Sequence, residues 1–234
     1  MQTFSYQPAP EVIERLRQVT LVAVVGPTAV GKSTLITAAI ERNPQDIHLV
    51  VVDTTREPRP GERDGIDYNF RSRQHMTETM GERKFVQVAP SVFGDLYATA
   101  AHAYATDGVA VMAIIAAAMP DFRALPFKEI RPIFVLPPDY ATWQQRIKHH
   151  GFDDVQMRRR LVEAEASSVF GVEDEKTQFI INESLDVAID DFTTLALGKP
   201  MGTRLQADQS RGREVVADLL AELRQNLAAP VDQQ

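Results

Sequence analysis

Continuous apolar runs alternate along this chain with stretches whose apolar residues recur every three to four positions. TLVAVV (20–25), IHLVVV (47–52), GVAVMAII (108–115), RPIFVL (131–136) and TQFIIN (177–182) lack the polar alternation of a half-exposed strand. Such runs predict strands buried on both faces, as in a parallel sheet covered by helices on each side. Helical spacing marks EVIERLRQV (11–19), which follows Pro8 and Pro10, and a segment of about Lys32–Arg42. It recurs in YATWQQRIKHH (140–150), VQMRRRLVEAEASSVF (155–170), SLDVAIDDFTTLAL (184–197) and REVVADLLAELRQNL (213–227). AAAMPDFRALPF, between the third and fourth runs, predicts a short, irregular crossover helix. Strands alternating with helices predict a three-layer α/β fold on a five-stranded parallel sheet. Ligands of such sheets bind at the carboxyl ends of the strands.

Residues 54–100 break the alternation. They are charged, punctuated by Gly and Pro, and hold short half-polar strands near 67–70 and 84–89. This predicts an inserted subdomain. The expected organisation is an N-terminal helical extension over 1–19, a main domain over 20–198, and a C-terminal part over 199–234. In the last, GKPMGTRLQADQSRG (198–212) reads as a linker before the amphipathic helix. That helix has an apolar face suited either to docking in cis or to pairing two subunits.

Composition narrows the class. The net charge of -7 disfavours a general nucleic-acid partner, which demands a basic surface. With no cysteine there is neither disulfide nor thiolate metal site, which suits a reducing cytoplasm. MQTFSYQPAPEVIERLRQ lacks the basic-then-apolar order of a signal peptide, and the longest apolar run, 109–119, is too short to span a bilayer. A cytoplasmic protein with no membrane partner is expected.

Two stretches carry the chemistry. GPTAVGKST (26–34) follows the first buried run and opens the first long helix, with the spacing of a P-loop. Gly26, Thr28, Ala29, Val30, Gly31, Lys32, Ser33 and Thr34 would form the cradle for the phosphates of ATP. Lys32 would reach the β- and γ-phosphates, and Ser33 would coordinate Mg2+. The second stretch, VVDTTREPRPGERDGIDYNF (51–70), places Arg56 and Arg59 three apart in a Pro/Gly-stiffened loop. Two guanidinium groups so placed can fork onto one phosphate, and Tyr68 can add its hydroxyl.

TTREPRPGERDGIDYNF, downstream of that P-loop, resembles the signature of the guanylate kinase family. The matching residues are Thr54, Thr55, Arg56, Pro58, Arg59, Gly61, Glu62, Gly65, Tyr68 and Phe70, and the resemblance spans about 20–197. It implies ATP-dependent phosphoryl transfer to a nucleoside monophosphate or related phosphate ester, with GMP the best single acceptor. It implies that Arg56, Arg59 and Tyr68 hold the acceptor phosphate. DLYAT (95–99) is similar to a segment that would put Tyr97 on that phosphate and Thr99 near the base. QQRIKHHGFDDVQMRRRL (144–161) resembles the family's lid, whose Arg146 and Arg160 would act on the transferring group. IINESLD resembles a segment that would put Asn182 near the adenine.

The chain also departs from the pattern. The family's acidic pair at the end of the third buried strand is replaced by Ala113 and Ile115, a serine by Val52, the guanine-reading glutamate by Gln87, and a lid arginine by His150. A glutamine offers one acceptor and one donor where a glutamate offers two acceptors, so the guanine edge would be read less completely. Asp53 is the candidate to supply charge near the metal; the alternative is a turn-capping aspartate. Two other functions stay open on the sequence: a nucleotide-binding module without efficient turnover, or a kinase with a changed acceptor. GPTAVGKS is also similar to the loop of tRNA isopentenyl transferases, a relation that the longer signature and the acidic charge disfavour.

Overall fold

Thr20–Val25 (β1) is buried along its whole length, and its valines favour the extended backbone of a strand flanked by others. In the computed structural model, which describes residues 6–58, 61–90 and 94–228, β1 is the centre of a five-stranded parallel sheet. Before it comes α1 (Pro10–Leu16), and after it α2 (Lys32–Arg42) and β2 (Ile47–Leu49). A second, four-stranded sheet is built from β3 (Asp53–Thr54), β4 (Asn69–Phe70), β5 (Phe85–Pro90) and β6 (Leu96–Ala100), with α3 (Arg73–Gly81) between β4 and β5. The chain then returns through β7 (Val109–Ala113), α4 (Met119–Ala124), β8 (Glu129–Leu136), α5 (Tyr140–Lys148), α6 (Asp154–Glu173), β9 (Gln178–Ile181), α7 (Leu185–Ala196) and α8 (Thr203–Ala228). The large sheet runs β2-β7-β1-β8-β9 and the small one β4-β3-β6-β5. Each has its own apolar cluster. That of the small sheet is Met76, Phe85, Val88, Leu96, Ala98 and Ala100.

Two expectations need correction. The second strand stops at Leu49 instead of running to residue 52. Val50 N still donates to Val111 O at 2.9 Å, but Val52 O already accepts from Asn69 N at 2.9 Å, so residues 50–52 carry the chain from the large sheet to the small one. The linker expected over 198–212 is helical from Thr203, and α8 is one helix of 26 residues. Contacts distant in sequence hold its first turns. Gln209 Oε1 accepts from Phe179 N at 2.7 Å and its Nε2 donates to Phe179 O at 3.1 Å, so the side-chain amide satisfies the edge strand β9. Arg204 grips the buried Asp191 of α7 with both terminal nitrogens.

Leu205, Val216, Leu219 and Leu223 are buried, so α8 docks in cis. A Cβ at Gly212 would stand 2.4 Å from the Phe179 Cβ, closer than packed atoms come. Gly212→Ala would gain about 1 kcal/mol of helix propensity and lose more to overpacking. A net loss of about 1–3 kcal/mol is expected. Urea unfolding followed by the fluorescence of Trp143, the single and buried tryptophan, measures it. Among the described residues no helix is long and apolar enough to cross a membrane.

Candidate functional site

The glycine loop leaves the carboxyl end of β1 and runs against its neighbours too closely for side chains. Gly26 has φ +138°, and a Cβ there would meet Val135 O at 2.4 Å. Gly31, at φ +96°, would place a Cβ 2.5 Å from Asn182 Nδ2. Ala29 also lies in the left-handed region, at φ +68°. The loop's carbonyl oxygens are engaged from several directions. Thr28 O accepts from Trp143 Nε1 at 2.8 Å, Val30 O from Asn182 Nδ2 at 2.9 Å, and Gly31 O from Leu35 N at 3.0 Å. Lys32 Nζ folds back to donate to Gly26 O and Pro27 O, at 2.6 Å each. Ser33 and Thr34 are exposed in the first turn of α2.

Burial pushes the Lys32 ammonium down to about 8, against the opposing pull of the Glu163 carboxylate and with a further push from Arg160. Glu163 and Trp143 belong to no motif and were missed in the sequence. The only available signals were a carboxylate three residues after Arg160 and the uniqueness of the tryptophan. Asn182, expected by resemblance near the adenine, is buried and buttresses the loop through Val30. Its own carbonyl accepts from Arg146 Nη2 at 2.8 Å.

The lid segment joins α5 to α6. Asp153 starts α6 with a capping box: its carboxylate accepts from Gln156 N at 2.7 Å and the Gln156 side chain accepts from Asp153 N. Arg160 Nη1 donates to Glu163 Oε2 at 2.6 Å, and its guanidinium lies 5.4 Å from the centre of the Phe152 ring. His150 stacks on the same ring, 5.4 Å away and 6° from parallel. The residue in place of a lid arginine thus packs on an aromatic ring.

On the small sheet Arg56 lies 5.2 Å from the Tyr68 ring centre and 5.7 Å from that of Phe70, within cation–π range. Its Nη2 donates to Glu62 Oε1 at 2.9 Å and its Nη1 to Glu57 O at 2.7 Å. The Glu62 hydrogen bond, helped by Tyr97, holds its pKa above the ordinary arginine value. Arg56 Nε is buried and finds no hydrogen-bond partner among the described residues. Tyr68 and Tyr97 meet edge to face at 6.1 Å. Arg59 lies outside the described residues.

Gln87 and Thr99 are register partners across β5 and β6. The Thr99 hydroxyl accepts from the buried Tyr104 hydroxyl at 2.9 Å, and burial pushes the Tyr104 phenol well up. Asp53 lies in β3, and its Oδ1 accepts from Asn69 Nδ2 at 2.6 Å across the sheet. At the end of β7 and just beyond it, where the family pattern has acids, Ala113 is exposed and Ile115 is 70% exposed. Among the described residues no group of three or more His, Cys, Asp or Glu is arranged to hold a metal ion.

A five-stranded parallel sheet between helices, a glycine loop at the end of its central strand and an arginine-bearing inserted sheet define an α/β fold of the P-loop kinase class. The family model named Guanylate kinase matches residues 18–196. A guanylate kinase of Vibrio cholerae serotype O1 is 33% identical over 215 residues, covering 87% of this chain and 98% of that protein. One from Trichormus variabilis is 30% identical over 193 residues, covering 81% and 95%. The crystal structure of guanylate kinase from Anaplasma phagocytophilum superposes with a TM-score of 0.53 at 18% identity, over 82% of this chain and 85% of that one, a likeness of fold. The chain belongs to the guanylate kinase family.

Proposed function

We propose that the chain transfers the γ-phosphoryl group of ATP to GMP in the cytoplasm, giving GDP and ADP. A phosphate oxygen of GMP forms the new P–O bond, and the bond to the bridging oxygen of ADP breaks. The observation that carries the acceptor side is Arg56. It is a shielded guanidinium within cation–π range of two rings, with a buried Nε free of protein partners among the described residues. A buried donor left this way costs free energy unless an anion takes it up. Arg56, Tyr68 and Tyr97, with Arg59, hold the acceptor phosphate, and Gln87 and Thr99 lie toward its base. On the donor side, glycines that admit no Cβ, carbonyls engaged by neighbours and a lysine folded into the loop suit a polyphosphate.

Ser33, exposed in the first turn of α2, would hold magnesium together with the phosphates. Magnesium bound through phosphates would need few protein ligands, which suits a chain with Ala113 at the end of β7 and Ile115 just beyond it. Magnesium neutralises charge on the transferring group when bound. Asp53, already bonded to Asn69, would serve that ion only as an outer partner. Arg146 and Arg160 meet charge that builds on the equatorial oxygens. A coupled ADP-release assay with GMP, dGMP, AMP, CMP and UMP tests the reading. Turnover with GMP well above the others is expected, and tight ATP binding with no turnover on any acceptor would overturn it.

Lys32 adds a pH dependence. In the free chain its ammonium loses its proton around pH 8, well below the usual lysine range, whereas bound polyphosphate favours the charged form. ATP affinity is therefore full below about pH 7 and falls as pH rises, roughly tenfold by pH 9. Binding near pH 8 takes up a proton, seen by calorimetry in buffers of different ionisation enthalpy. Because Glu163 holds the Lys32 proton on, Glu163→Gln moves the onset of weakening to lower pH.

A further inference from the structure

Residues 6–17, ahead of β1, lie outside the matched residues 18–196, yet they are tied to the small sheet at one end and to the main core at the other. The Tyr6 hydroxyl accepts from Phe85 N at 2.9 Å and donates to Phe85 O at 3.1 Å. Arg83 Nε donates to Gln7 O at 3.0 Å and Nη2 to Pro8 O at 2.9 Å, while Ala9 N donates to Arg83 O at 2.9 Å. Arg83 does this from φ +57°, a conformation that a residue with a side chain keeps only when its surroundings hold it there. At the other end Val12 and Leu16 are buried in the main core. Arg15 donates to Ala101 O and Tyr104 O, both at 2.9 Å, where the chain returns from β6 toward β7.

β5 is an edge strand of the small sheet, and Tyr6 packs on that sheet's separate apolar cluster. Without residues 6–16 the small sheet would be joined to the rest by two chain crossings, near 50–53 and 100–109. The strap is a third anchor, and it seizes the strand that carries Gln87, next to the strand of Tyr97 and Thr99. We propose that Tyr6 and Arg83 are positioning residues: the strap fixes the small sheet against the core so that its acceptor-binding side chains are ordered before the acceptor arrives. The proposal rests on the kinase function above. An ordering cost is met only by the ligand that needs the ordered state, so its release falls on the acceptor and not on ATP.

Tyr6→Phe and Arg83→Ala in the full chain test this. Each is expected to raise the KM for GMP roughly threefold to tenfold, with kcat and the KM for ATP within about twofold. Hydrogen exchange over residues 85–100 should quicken in the free variants and slow again at saturating GMP. An unchanged or lowered KM for GMP in both variants overturns the proposal. So does a rise shared equally by ATP, which would mark a general loosening of the fold. A wild-type chain with no turnover on GMP would instead sink the kinase reading. In that case unchanged exchange over 85–100 in both variants would dispose of the strap as well, and quickened exchange would keep its ordering role.

Discussion

Lys32→Met is expected to lower kcat with GMP by on the order of 10²–10³-fold while leaving the fold intact. Lys32 is half-buried against its own loop, donating to Gly26 O and Pro27 O, and desolvation brings its proton affinity down to about 8. The folded chain does little to stabilise this charge for its own sake. A methionine keeps the length of the stem and removes the desolvation of an ammonium, which offsets part of the two lost hydrogen bonds. Stability should therefore move by no more than about 1 kcal/mol. On the proposed reaction the loss would appear in the transition state, where Lys32, Arg146 and Arg160 would meet the negative charge of the transferring group. Lys32→Arg should not rescue turnover, because a planar guanidinium cannot take the place of a compact ammonium between two carbonyls. Steady-state rates alongside urea unfolding separate the two effects. Turnover within tenfold of the unaltered chain would remove Lys32 from the chemistry.

The parts of this site that lie close together in sequence were legible there. β1, the glycine loop and α2 follow from an unbroken apolar run, fixed glycine spacing and helical periodicity, and the helix occupies Lys32–Arg42 as expected. The exchange of acids for Ala113 and Ile115 was equally plain, and both residues are exposed where those acids would stand. What escaped depends on contacts between distant segments. Trp143 reaches Thr28 O across 115 positions, and Glu163 approaches Lys32 only once α6 is folded beside the loop. The polar residues 203–212 read as a linker because their helix is set by Gln209 on Phe179 and Arg204 on Asp191. The partner of Asp53 escaped for the same reason, since Asn69 is brought to it by sheet pairing.

Arg56→Lys should raise the KM for GMP on the order of 10–100-fold and leave the KM for ATP unchanged. The substitution keeps the charge, so a large effect would isolate the shape of the guanidinium. Arg56 spends one terminal nitrogen on Glu62 and the other on Glu57 O, and lies near two ring faces with Nε buried and unpartnered among the described residues. A lysine would present one ammonium where the arginine presents a flat fork, and would lose the stacking on Tyr68 and Phe70. Glu62 would then compete with the acceptor phosphate for that ammonium, whereas the arginine would serve both from different edges. Arg56→Lys/Glu62→Gln removes this competition and should recover part of the affinity, while Glu62→Gln alone should cost affinity by loosening the arginine. Initial rates over a range of GMP concentrations for the three variants resolve these terms. A KM for GMP in Arg56→Lys within twofold of the unaltered chain would assign the acceptor phosphate to other residues.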